Sequence, residues 1–318
     1  MEHAIAAAIE SYHELNAAVV DELREEPSPL EFMRYVAKNR PFVVRRAAAE
    51  WDAVQKWDAN YLRQVMGNSP VNVAVTPLGN ADAVVEQENG ILIFVEPYER
   101  SEPFVDFLDY VQQEGEHSLT REHPRLVKYA QTQNDNLREE YQELFADVLK
   151  DIPFARIALE KEADAINMWI GNERSVTALH KDNYENIYVQ VRGEKQFVLL
   201  SPMEMPCVNE QALCEAHYRP SKCRELRPDD ELVIQCSADE LLPVPTWDPD
   251  NRDFRATRYS HLARPLRVTL KEGDMLYLPA MSVLRNSMSN CLKDADCPLQ
   301  GGTTRSARRR VKKGFLVL

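Results

Sequence analysis

Ile5, Ile9, Tyr12, Leu15, Val19 and Leu23 recur at spacings of three and four, the signature of one apolar stripe along a helix. Pro27-Ser28-Pro29 interrupts the stripe, and residues 30–38 resume as a second short helix. Phe42, Val43 and Val44 make a short β-rich run, and the stretch from Trp51 to Trp57 reads as a helix. Residues 70–77 and 91–95 read as strands with a turn-like segment, 78–83, after the first. Residues 101–114 and 136–149 are again helical in pattern, so the region 1–150 is expected to be mostly helical with a few strands.

From Ala165 the pattern becomes strand-like. Residues 165–170 read as a strand, and Ile187–Val191, the turn at 192–195 and the return at 196–200 predict a hairpin. Residues 266–270, a turn at 271–274 and 275–279 predict a second one. Between them, 201–262 reads as a loop-rich insert. The spacings of its Cys207, Cys214, Cys223 and Cys236 match no common zinc pattern, so they are read as unligated thiols. No internal repeat is present. The expected fold is α+β with a mainly β core: a helical N-terminal region, then an antiparallel sandwich or barrel over 151–280. After Ala280 the alternation fails. Residues 285–310 offer no alternating apolar run, so the C-terminal strands are expected to be missing and 281–318 to be a disordered tail.

Composition narrows the setting. The 318 residues are 44% hydrophobic, without an 18-residue apolar run, which excludes a helical membrane span. The N-terminal stretch lacks a basic lead, so no secretory signal is read, and six cysteines without a CxxC pair suit a reducing compartment, cytoplasmic or nuclear. Net charge is −13. Residues 281–318 carry 8 Lys and Arg against 2 Asp and Glu, leaving 30 against 49 before them, so a body of −19 precedes a tail of +6. An acidic body favours basic protein partners over nucleic acid.

The chemistry concentrates in residues 177–197. His180 and Asp182 are two apart, so on a strand both leave the same face, an imidazole and a carboxylate being two-thirds of a 2-His-1-carboxylate iron site. An HxD pair alone is weak, since a surface histidine beside a solvated aspartate is the commoner case. Lys195 follows just after a tight turn. Inside a barrel its ammonium would call for an anion, and a dicarboxylate that also chelates a metal would supply one. Thr177 and Tyr188 could donate hydroxyl hydrogens there.

His180-x-Asp182, Asn186, Tyr188 and the GEK at 193–195 resemble the JmjC (cupin-type) Fe(II)/2-oxoglutarate oxygenases, and within them the small lysyl (3S)-hydroxylases. Residues 39–57, 71–84, 164–171 and 272–280 match the same group in the same order, so the resemblance covers about 25–280. It implies a double-stranded β-helix (jelly roll), Fe(II) on His180 and Asp182, and 2-oxoglutarate on Lys195 and Thr177. Tyr129 matches a further cosubstrate residue and Asn186 an active-site asparagine. It also implies a lysine-containing substrate, such as a translation-factor-like GTPase or a histone tail, and allows a homodimer. Endopeptidase activity has been ascribed to the group, but the sequence shows no nucleophile–base pair or HExxH.

The pattern breaks after LYLP. The family reads LPxxWxHxV, its histidine being the third iron ligand. Here Ser282 stands at the tryptophan, Leu284 at the histidine and Asn286 at the valine. His217, His261 and Cys291 are the downstream candidates to replace it. Ligand and strand are lost at almost the same point, which reads as a replaced C-terminus rather than a pseudoenzyme with a closed core. Two functions stay open: a lysyl hydroxylase in incomplete form, and a noncatalytic binder of 2-oxoglutarate or peptide.

Overall fold

The computed structural model describes residues 2–117, 126–133, 135–222, 226–227, 230–289 and 316–317. Two facing sheets form its centre. We number their strands β1 (Ile166–Asn167), β2 (Val176–Lys181), β3 (Asn186–Val189), β4 (Glu194–Leu200), β5 (Leu266–Leu270), β6 (Met275–Leu278), β7 (Val283–Ser289) and β8 (Leu316–Val317). One sheet runs β6-β3-β8-β1, extended beyond β6 by Phe42–Val44 and Asp21–Leu23; the other runs β5-β4-β7-β2, extended by Asn80–Ala81. Leu199, Phe197, Leu270, Leu276, Leu278, Leu284 and Tyr188 meet between them in one buried cluster. The fold is a cupin-like jelly roll, as expected.

Both expected hairpins are corrected. β3 pairs with β6, and β4 with β5, each antiparallel, so each turn carries the chain from one sheet to the other. Residues 187–200 look like a hairpin because both runs are apolar. In a two-sheet core such runs are the inward faces of strands in opposite layers. The insert is also more regular than expected. Glu210–Pro220 and Leu232–Pro245 form a long antiparallel hairpin, joined to Leu92–Glu96 by a parallel ladder.

The strand expected to be missing after Ala280 is present through Ser289. β7 pairs antiparallel with β4 on one side and β2 on the other, a central place in its sheet. Leu284, Asn286 and Met288 alternate with Val283, Arg285 and Ser287. Val283 packs outward against Ile9, Leu179, Leu200 and Trp247. Arg285 is buried, its guanidinium held by Asp248 at 3.3 Å and by Asp250. A buried arginine and a buried asparagine break the apolar alternation, which hides the strand from pattern reading. Residues 290–315 of the expected tail lie outside the described residues.

The N-terminal elements brace this core. Ser28 caps the Pro29–Lys38 helix by accepting from the Glu31 amide, Pro29 occupies its first turn, and Asn39 closes it in the left-handed conformation. The Asn39 side-chain amide then donates to the Ala280 carbonyl at 2.7 Å, tying the helix end to the corner that starts β7. Against expectation, strands are numerous before residue 150. Pro70–Thr76 pairs with Tyr98–Pro103 and with Val127–Tyr129, and the last of these brings Tyr129 to the core.

Candidate functional site

His180 stands near the end of β2. Its Nδ1 lies 2.8 Å from the Ala178 carbonyl, which can only accept, so Nδ1 carries a proton. Asp182 follows β2. The Tyr184 amide donates to its Oδ1 at 3.2 Å and the Asn186 side-chain amide to its Oδ2 at 2.7 Å. Burial raises the Asp182 carboxyl above its ordinary range, opposed by the His180 charge and by these donors. The corner before β7 is fastened to this residue, since the Met281 amide donates to the Asp182 carbonyl at 2.6 Å. Met281 itself takes a φ of 66°, an uncommon left-handed conformation for a side chain of that size.

Directly across the ladder from His180 is Leu284. It is 4% exposed and packs among Phe197, Leu199, Leu276 and Leu278, as a core leucine does. A facial iron site needs three donors converging on one point. The described residues here supply an imidazole and a carboxylate, and hydrocarbon occupies the facing position, so this donor set does not fit the three-ligand site. His217 lies on the Glu210–Pro220 strand opposite Glu96, and His261 in the short Ser260–Leu262 turn. Neither stands on a strand bordering His180. Cys291 lies outside the described residues.

Lys195, at the start of β4, is fully buried. Its Nζ is 3.5 Å from the Tyr129 hydroxyl and lies over the rings of Tyr188, Trp169 and Phe197 at 4.9, 5.3 and 5.8 Å from their centroids. Trp169 stacks on Tyr188 with planes 12° apart. Ring faces stabilise a desolvated ammonium by roughly 2 kcal/mol. An anionic ligand carboxylate suits such a place. The Tyr188 hydroxyl is turned to Gln190 at 3.1 Å. Gly171 gives the Tyr129 ring its room, because a Cβ there would come within 2.8 Å of Tyr129 Cδ2. Thr177 is half-buried on β2 and pairs in register with Asn286 of β7, which in turn pairs with Phe197 of β4.

Of the expected site residues, Asp182 and Asn186 touch, and Lys195, Tyr129 and Tyr188 form a second group. Thr177 and His180 lie on β2, the strand that leads into Asp182. Three contributors escape sequence reading: Trp169, Gln190 and Asn286. For Trp169 a signal existed, an aromatic in the apolar run read as a strand, although β1 ends at Asn167; for Asn286 there was none.

A cavity opens beside Lys195. Its walls include Tyr188, Trp169 and Met288 from inside the jelly roll, and Trp57, Leu62, Met168 and Val191 from the core outside it. Residues facing opposite sides of a sheet share a cavity only where the sheet is interrupted. Among the described residues the ladder between β1 and β3 consists of Leu316 and Val317 alone. β8 is parallel to both neighbours in an otherwise antiparallel core.

Comparison with known proteins agrees with this architecture. Residues 27–283 match the family model of the cupin-like domain. The match ends within the corner where β7 begins. The chain is 38% identical over 261 residues to the bifunctional peptidase and (3S)-lysyl hydroxylase JMJD7 of Homo sapiens, covering 81% of this chain and 77% of that protein. It is 32% identical to JmjC domain-containing protein E of Dictyostelium discoideum, over 84% of this chain and 80% of the relative. The lysine-specific demethylase JMJ32 of Arabidopsis thaliana is also 32% identical, over 82% and 75%. With a jelly-roll core, a family match over most of its length and relatives of this kind, the chain belongs to the cupin-like JmjC family.

Proposed function

We propose that this chain binds a small dicarboxylate of the 2-oxoglutarate type, together with a lysine-bearing segment of a basic protein, without performing iron-dependent hydroxylation. The observation that carries the reading is the register of His180 with Leu284, which puts a packed side chain where a third ligand would act. Lys195 would take one carboxylate of the ligand, with the hydroxyls of Tyr129 and Thr177 as donors beside it. Asn186 would hold the Asp182 carboxylate in place, and the rings of Trp169, Tyr188 and Phe197 would exclude water around the ammonium. The acidic body favours a basic partner, such as a histone tail or a lysine-containing loop of a GTPase.

A second reading, an active Fe(II)/2-oxoglutarate lysyl hydroxylase, is favoured by the retained His180 and Asp182 and by the 38% identity to a lysyl hydroxylase. A peptidase role rests only on that relative's name. Calorimetric titration of the full chain with 2-oxoglutarate tests the binding claim. Saturable binding that falls by about tenfold or more in Lys195→Met is expected, the loss of a charge-assisted contact. Equal affinity in parent and Lys195→Met would overturn it.

A further inference from the structure

Met281 carries two costs that a purely structural corner residue avoids. Its φ of 66° lies in the left-handed region, where glycine or asparagine is the ordinary choice, and its apolar side chain is 42% exposed. Strained backbone of this kind gathers where a fold holds a side chain for use. The corner is fastened on both sides of Met281. The Asn39 side-chain amide donates to the Ala280 carbonyl at 2.7 Å, and the Met281 and Asp182 amides donate to the carbonyls of Asp182 and Ser282. Met281 is thereby held beside Asp182. His180 and Asp182 are half-buried and Asn183 is exposed, so this end of β2 opens to solvent with Met281 at its edge.

Glu185 stands at the same corner. The Ala280 amide donates to its Oε2 at 3.1 Å, and the Tyr277 hydroxyl donates to the same oxygen. Both contacts spare Oε1, and among the described residues no lysine, arginine or histidine pairs with this carboxylate. The half-buried side chain is thus pinned through one oxygen and offers the other. A lysine side chain matches these two features, with its apolar stem and charged head. Methionine is a soft, adaptable surface for the stem, and a carboxylate oxygen takes the ammonium in a charge-assisted bond.

We propose that Met281 and Glu185 form the rim that selects the lysine-bearing segment, Met281 packing against the stem of a lysine and Glu185 Oε1 accepting its ammonium. This rests on the reading that the chain binds such a segment, and it names the residues outside the Lys195 pocket that recognise it. The strain at Met281 then has a use: it keeps an apolar side chain in the open beside Asp182 instead of folding it into the core.

Calorimetric titration of the full chain with a synthetic Gly-Lys-Gly-Lys-Gly amide, 2-oxoglutarate being present, tests this beside thermal melts. Met281→Gly and Glu185→Gln should each weaken peptide binding about fivefold or more. Met281→Leu, apolar and of similar volume, keeps the parent affinity. Met281→Gly melts no lower than the parent, because glycine accepts this φ without strain. It also removes no charge, so nonspecific attraction of the peptide to the acidic body is unmoved. The inference is overturned if Met281→Gly or Glu185→Gln binds the peptide as tightly as the parent, or if Met281→Leu loses as much affinity as Met281→Gly. It is overturned too if Met281→Gly melts lower, which would make Met281 a structural residue. A parent that binds no peptide overturns the reading beneath, that the chain takes a lysine-bearing segment, and this inference with it.

Discussion

Asp182 shows what a buried carboxylate costs its fold. Its carboxyl is raised by burial, so the folded chain holds that proton more tightly than the unfolded chain does. The stability it contributes is present below the ordinary carboxylate range and is lost as pH rises through the raised value. Asp182→Asn removes this titration. The unfolding free energy of Asp182→Asn minus that of the parent should therefore increase with pH across the carboxylate range and then level off. Denaturant melts at several pH values measure the difference, and a flat difference would contradict the assignment. His180 and Asp182 could be found from their spacing, and Lys195 from its place after a turn. The ring cage around Lys195 could not, because Tyr188 and Phe197 come from two strands in opposite sheets and Trp169 from the segment after β1, which only the sandwich brings together.

Among the elements, β7 and β8 decide how far the jelly roll closes. β7 is braced outward by Arg285 on Asp248 and Asp250, contacts made across 37 and 35 residues of sequence. Strand reading by alternation misses such a segment because its stabilising partners lie in the insert, not next to it. The reverse error occurs at 187–200, where local pattern and turn residues suggested a hairpin and the layer packing separated the strands. β8 is a two-residue strand lying between β3 and the equally short β1. Leu316→Pro combined with Val317→Pro removes two ladder donors. Faster amide exchange over 186–191, with β7 exchange unchanged, is expected by hydrogen-exchange mass spectrometry. Unaltered exchange over 186–191 would show that β8 does not cover that edge.

For the molecule as a whole, the fold class was legible because its motifs follow one another in the family's order from residue 39 to 280. The departure at Leu284 was legible too, and the ladder register confirms its place opposite His180. What could not be read was that the strand carrying Leu284 still forms and pairs on both sides. No helix among the described residues is long and apolar enough to cross a membrane. The central claim, a dicarboxylate-binding JmjC fold without the three-ligand iron site, meets its most direct test in succinate release. The purified chain is incubated with Fe(II), ascorbate, 2-oxoglutarate and a lysine-bearing basic peptide, beside the variant Leu284→His. Succinate is expected at the no-enzyme background for the parent and above it for Leu284→His; parent turnover above that background, abolished in His180→Ala, would contradict the claim by showing that the two retained ligands suffice.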